Sequence, residues 1–173
     1  YIVNGMVGSE QFPYLPGGEL IEENQAFRNI GDGKFERAPQ WGLGSKRSGR
    51  SMGMIDLDLD GDLDIVVNNL ASRAQLFENR TCEGTSVQVD LHQSEGNTRA
   101  IGAVVLLHTS DGTQRRDVRS ASGYLFGDPQ RVHFGSSVDT LLQALEVRWP
   151  DGAVSIIEDP PTDALVSVYR LRG

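Results

Sequence analysis

From Ser86 onward the chain consists of short apolar runs cut apart by turn residues, and this punctuation limits it to β-structure. SVQVDLH alternates apolar and polar side chains, and AVVLLHT is a continuous apolar run ending at Asp111-Gly112. A period of two marks a strand with one buried face, while a short unbroken run marks a strand buried on both. Asp-Gly favours a two-residue hairpin turn, whose central residues need positive φ. QRRDVRS then returns as the hairpin partner, and RVHFG, ALEVRWP, AVSIIED and LVSVYRL follow, with a second hairpin turn at Asp151-Gly152. About seven strands, with turns roughly every 8 to 14 residues, predict a small antiparallel β-sandwich or barrel. Only DTLLQAL, Asp139–Leu145, has the look of a short helix.

The first half has a different texture. QAFRN at Gln25–Asn29 is repeated as QLFEN at Gln75–Asn79, and each copy follows a similar strand end, IVNG at Ile2–Gly5 and VVNN at Val66–Asn69. The first copy carries the longer intervening loop, rich in Gly, Pro and Glu. Similar strands joined by loops of unequal length are what a repeat architecture such as a propeller produces. IGDGKFE after the first copy predicts a hairpin at Asp32-Gly33, and WGLGSKRSGRSMG is a polar, glycine-rich link. The change of texture sets a boundary near Cys82–Ser86. It divides the chain into residues 1–82, a blade-like segment, and residues 83–173, the sandwich. A length of 173 residues suits one large or two small domains, and 38% hydrophobic with 23% charged residues is an ordinary globular balance.

The net charge of −8 argues against nucleic acid or an anionic membrane as partner and favours cations. No apolar run approaches the ~18 residues of a membrane span. A single cysteine, Cys82, excludes an internal disulfide and a cysteine-based zinc site. The opening YIVNG reads as the end of a strand, so the sequence is expected to be a fragment or a processed piece.

Residues 55–67, IDLDLDGDLDIVV, concentrate that charge: Asp56, Asp58, Asp60, Asp62 and Asp64 occupy every second position. In an extended segment all five carboxylates would share one face and repel one another. The pattern fits D-x-D-x-D-G-x-x-D instead. Asp56, Asp58 and Asp60 supply side-chain oxygens, Gly61 takes the sharp turn, Asp62 offers its carbonyl and Asp64 closes the shell. Hard oxygen ligands on a flexible loop suit Ca2+ better than magnesium, which keeps its waters. An EF-hand needs a glutamate at the twelfth position; here Val67 stands there, inside the apolar run Ile65–Val67, so the loop leads into a strand.

These residues carry a resemblance. DLDLDGDLDIVVNN followed by QLFEN resembles the FG-GAP/VCBS blade of integrin-type β-propellers, and QAFRNIGDGKFE is similar to the outer part of the preceding blade. GNTRAIGA (Gly96–Ala103), SGYL (Ser122–Leu125), HFG (His133–Gly135) and VRWPDG (Val147–Gly152) resemble the ASPIC/UnbV domain, which follows such blades in bacterial secreted proteins and in cartilage acidic protein. The resemblance implies an all-β chain with parts of two propeller blades, a calcium loop between blade strands, and a sandwich behind them.

No catalytic constellation is visible. His92, His108 and His133 lie on different predicted strands without mutual spacing, and read as structural. There is no G-x-S-x-G elbow and no P-loop, and Ser122-Gly123 reads as a turn. Arg115, Arg116 and Arg119 form a small basic cluster, by default a solvated strand face and otherwise a docking spot for an acidic partner. The expected function is therefore non-enzymatic: a calcium-stabilised extracellular, cell-surface or periplasmic module. It would work in adhesion or assembly with a protein partner or other subunits, as the C-terminal part of a larger FG-GAP–ASPIC protein. The alternative is a carbohydrate-binding module in which Trp41, Tyr124, Phe126 and Trp149 stack on a glycan.

Overall fold

A computed structural model describes residues 1–5, 22–81, 84–124 and 126–171. The long loop of the first repeat copy, Cys82, and Leu125 of the SGYL motif lie outside the described residues. Among the described residues the regular structure is strand, with one 3-10 turn at Pro39–Trp41. The strands are β1 (Phe27–Asn29), β2 (Phe35–Arg37), β3 (Gly49–Ile55), β4 (Asp64–Asn69), β5 (Gln75–Phe77) and β6 (Thr85–Gln93). They continue with β7 (Val104–Thr109), β8 (Gly112–Asp117), β9 (Val132–Ser136), β10 (Leu142–Arg148), β11 (Val154–Glu158) and β12 (Ala164–Arg170). No closed propeller or barrel forms among the described residues.

The chain folds as two compact units. One comprises Tyr1–Met54, Asp64–Glu78 and Gly123–Phe126; the other comprises Ile55–Leu63, Asn79–Ser122 and Gly127–Gly173. The first holds the β1–β2 hairpin and the sheet β3-β4-β5. Its hairpin turns at Asp32-Gly33, both with positive φ, as the Asp-Gly dipeptide predicts. The repeat has a structural counterpart: Ile2 bridges Gln25 in the first copy, and Val67 pairs with Gln75 in the second.

In the second unit a four-stranded antiparallel sheet, β11-β10-β7-β8, and a three-stranded sheet, β12-β6-β9, enclose one core. Val105, Leu107, Leu145 and Val147 come from the first sheet; Val87, Val89, Phe134 and Val168 come from the second. Burying a side chain of this size contributes about 1.5–3 kcal/mol, so this layer is the main source of the unit's stability. Both expected hairpins form, but not with the Asp-Gly pair as the two central residues. β7–β8 turns through Ser110-Asp111, with Gly112 opening β8 opposite Thr109. β10–β11 turns through residues 149–153, where Gly152 but not Asp151 has positive φ.

Two expectations change. The sandwich is not wholly antiparallel, because β12 runs parallel to β6, Ala164 opposite Val87 through Arg170 opposite Gln93. The helical look of Asp139–Leu145 also fails. Leu142–Leu145 belong to β10, paired with β7 and β11, and Leu145 is wholly buried in the core. Sheet pairing on both sides outweighs the weak local helical preference of so short a segment.

Candidate metal loop and its setting

β3 ends at Ile55 and β4 begins at Asp64; the acidic loop lies between, within the second unit. The alternation of aspartates is not read out on an extended strand, because the backbone bends from Leu57 to Asp62. Leu59 and Gly61 both adopt positive φ, 64° and 98°. Those bends carry the carboxylates of Asp56, Asp58 and Asp60 together, one oxygen of each lying within 4.8 Å of the others. Leu57 and Leu59 are left exposed.

The three carboxylates sit differently. Asp58 and Asp60 are exposed, whereas Asp56 is only 8% exposed. Its Oδ2 accepts the Gly61 N–H at 3.1 Å and a second hydrogen bond from Gln88 Nε2. Its Oδ1 is buried without a hydrogen-bond partner. A buried carboxylate oxygen left this way is costly unless something positive meets it. Asp60 Oδ1 accepts the Asp62 N–H at 2.9 Å, which tightens the turn. Asp62 has its carboxyl pushed up by partial desolvation and then by Asp60, with Asp56 and Asp58 adding to the effect and His133 opposing it. Asp64 opens β4 and is buried. Among the described residues the converging carboxylates are thus Asp56, Asp58 and Asp60; the side chains of Asp62 and Asp64 stand outside that group.

The sandwich sheet seats the loop. His133 Nε2 donates to the Gly61 carbonyl at 2.7 Å, which requires the Nε2-protonated ring. A Cβ on Gly61 would lie 2.7 Å from Ser86 Oγ, so glycine is needed for both its φ and its proximity to β6. Ser86 is itself fixed: its N–H donates to Asp163 Oδ1 at 2.9 Å, and the Asp163 N–H donates back to its carbonyl. A cavity of about 680 Å³ opens beside the loop, and Asp60, Asp62, Ser86, His133 and Asp163 are among the residues that line it. Sequence spacing identifies none of Gln88, Ser86 or His133 as part of this site, because each reaches the loop from another strand.

The remaining candidates settle into structural roles. His108 contacts Thr113 Oγ1 at 3.0 Å and Glu146 Oε2 at 3.1 Å, and His92 stacks on Tyr169 at 4.7 Å. Arg115 and Arg119 both pair with Asp117, and Arg116 lies over the Phe134 ring and donates to the His133 carbonyl. The basic cluster is thereby largely engaged within its own unit. Trp149 is 3% exposed, donates from Nε1 to Ser155 Oγ at 2.9 Å, and carries the Arg170 guanidinium over its ring. It is a core residue and offers no open face to a sugar. Tyr124 and Trp41 are exposed in the first unit.

Residues 93–171 match the ASPIC and UnbV family, and residues 17–67 match the FG-GAP-like repeat family. The chain contains both elements, in that these matches lie in the order the motifs indicated. No curated protein matches the chain. Both families are known as non-catalytic structural and adhesion modules, with which the expected non-enzymatic reading is consistent. Among the described residues no helix is long and apolar enough to cross a membrane. The acidic loop falls inside the FG-GAP-like match yet packs within the same compact unit as the sandwich.

Proposed function

We propose that the chain is a calcium-stabilised extracellular, cell-surface or periplasmic module that mediates assembly or adhesion through protein contacts. One observation carries the metal reading. Three carboxylates converge within 4.8 Å, and one of them, Asp56, keeps a buried oxygen without a partner. A hard divalent cation satisfies that oxygen and cancels the carboxylate repulsion that adds to desolvation in raising the Asp62 carboxyl. Asp56, Asp58 and Asp60 would hold Ca2+ through their side chains, Asp62 through its carbonyl, and Asp64 would complete the set. The ion supplies charge neutralisation and loop order, with no chemistry of its own.

The assembly reading draws on the edges of the two sandwich sheets. β11 exposes Val154 and Ile156, and β12 exposes Leu165 and Tyr169. Edge strands bearing exposed apolar side chains pair readily with other chains. Thermal unfolding in EDTA and in millimolar calcium, repeated on Asp60→Asn, tests the metal half. A calcium-dependent rise that the variant loses supports it; identical curves in both media overturn it.

A further inference from the structure

The Asp56 carboxylate is not held by its own loop alone. Its Oδ2 is occupied twice, by the Gly61 N–H and by Gln88 Nε2 from β6, which leaves Oδ1 as the oxygen available to a cation. Gln88 is 9% exposed, and its amide can face only one way. Arg131 Nη1 donates to Gln88 Oε1 at 3.4 Å, so the NH2 end points at Asp56. Arg131 is fixed in turn by a two-point pairing with Asp90, Nε to Oδ1 at 3.2 Å and Nη2 to Oδ2 at 2.9 Å. Asp90 and Gln88 sit two positions apart on β6, and Arg131 immediately precedes β9. A continuous chain of hydrogen bonds therefore runs from Asp90 through Arg131 and Gln88 to Asp56.

We propose that Gln88, aligned by Arg131 and Asp90, is a positioning residue for the cation. The sandwich sheet supplies the outer shell of the metal site and presets one ligand before the ion arrives. The inference rests on the calcium reading above. Hydrogen bonds that orient a ligating carboxylate raise affinity because the ion need not pay to order that ligand, and losing one typically weakens binding about 10- to 100-fold. The two domain types are thereby coupled: the loop lies in the FG-GAP-like match, whereas Arg131 lies in the ASPIC and UnbV match.

The test is calorimetric titration of the intact chain with calcium chloride, for wild type and Gln88→Met, with melting of each protein in EDTA. Methionine keeps the volume and removes the donor. Calcium affinity about ten-fold weaker or more, with the EDTA midpoint within a degree or two of wild type, supports a positioning role. Unchanged affinity in a folded Gln88→Met overturns it, as does a lowered EDTA midpoint with unchanged affinity, which would make Gln88 purely structural. No binding by wild type removes the calcium reading itself, and this inference with it. Should Gln88→Met lack the wild-type circular dichroism spectrum, Arg131→Met, altered at the surface, takes its place: weakened affinity supports the positioning role and unchanged affinity overturns it.

Discussion

His133 Nε2 meets the carbonyl oxygen of Gly61 at 2.7 Å although 72 positions separate the two residues. The contact joins the turn of the acidic loop to β9, and it coincides with the closest approach of that turn to Ser86 on β6.

Gly61→Ala is expected to destabilise the protein by about 1–3 kcal/mol, because a φ of 98° strains any residue with a Cβ. The steric part arises from Ser86 Oγ, so Gly61→Ala/Ser86→Ala should recover only a fraction of the loss. Urea midpoints of the two variants measure both parts. A neutral Gly61→Ala would contradict a left-handed turn at this position.

Calcium should raise the melting temperature modestly. With an affinity in the ~10⁻⁴ to 10⁻³ M range common to extracellular sites, millimolar calcium contributes roughly 0.4–1.4 kcal/mol. For a chain of this size that is a shift of roughly 1–6 °C. Asp58→Asn should abolish the shift, since Asp58 is one of the three converging carboxylates. Magnesium at the same concentration should give a smaller one.

Acid should act through two carboxylates on β8 and β10. The Arg115 guanidinium, aided by Arg119, holds the Asp117 carboxyl below its usual value against slight desolvation. Arg148 and then His108 do the same for Glu146. A depressed folded pKa means stability that is present above the unfolded value near 4 and lost as pH falls through the folded value. Urea midpoints in EDTA should therefore drop below about pH 4, and Glu146→Gln should flatten that drop. Asp62, raised rather than lowered, works in the opposite direction and gains its proton earlier in the fold. A midpoint insensitive to pH below 4 would contradict the pairing.

Two aromatic residues should separate cleanly. Trp149→Ala empties a core position and should cost about 3–5 kcal/mol. Tyr124, 76% exposed, should change stability by no more than about 0.5 kcal/mol when replaced by alanine. Chemical denaturation of both variants checks the contrast. A mild Trp149→Ala would contradict the burial of its ring.

The features that local spacing encodes were legible before the structure. The Asp-Gly dipeptides mark where both hairpins turn, although the β7–β8 loop sits one residue earlier, at Ser110-Asp111, and the apolar and alternating runs around them become β6 to β12. The convergence of Asp56, Asp58 and Asp60 around Gly61 is legible for the same reason, since all four lie within one loop. Partners across the chain were not. Nothing in SVQVDLH says that its sheet neighbour is the distant strand β12 or that the pairing is parallel. Gln88 looks like an ordinary polar residue of an alternating strand, yet it lies buried against Asp56. Asp139–Leu145 misleads because a few leucines at helical spacing weigh less than two flanking strands.

The parallel pairing of β12 with β6 also sets a timetable. Ala164 lies opposite Val87, 77 positions earlier. At a synthesis rate of ~5–20 residues per second, β6 therefore waits roughly 4 to 15 s on the ribosome for its parallel neighbour. Until then the sheet that carries Ser86, Gln88 and His133 is incomplete on one side. Such long-range closure slows folding and leaves a strand edge open to wrong partners in the interval. On the calcium proposal, ion capture would be one of the last events in maturation, a seal on a finished sheet, and a nascent chain that met calcium early would have little yet to hold it with.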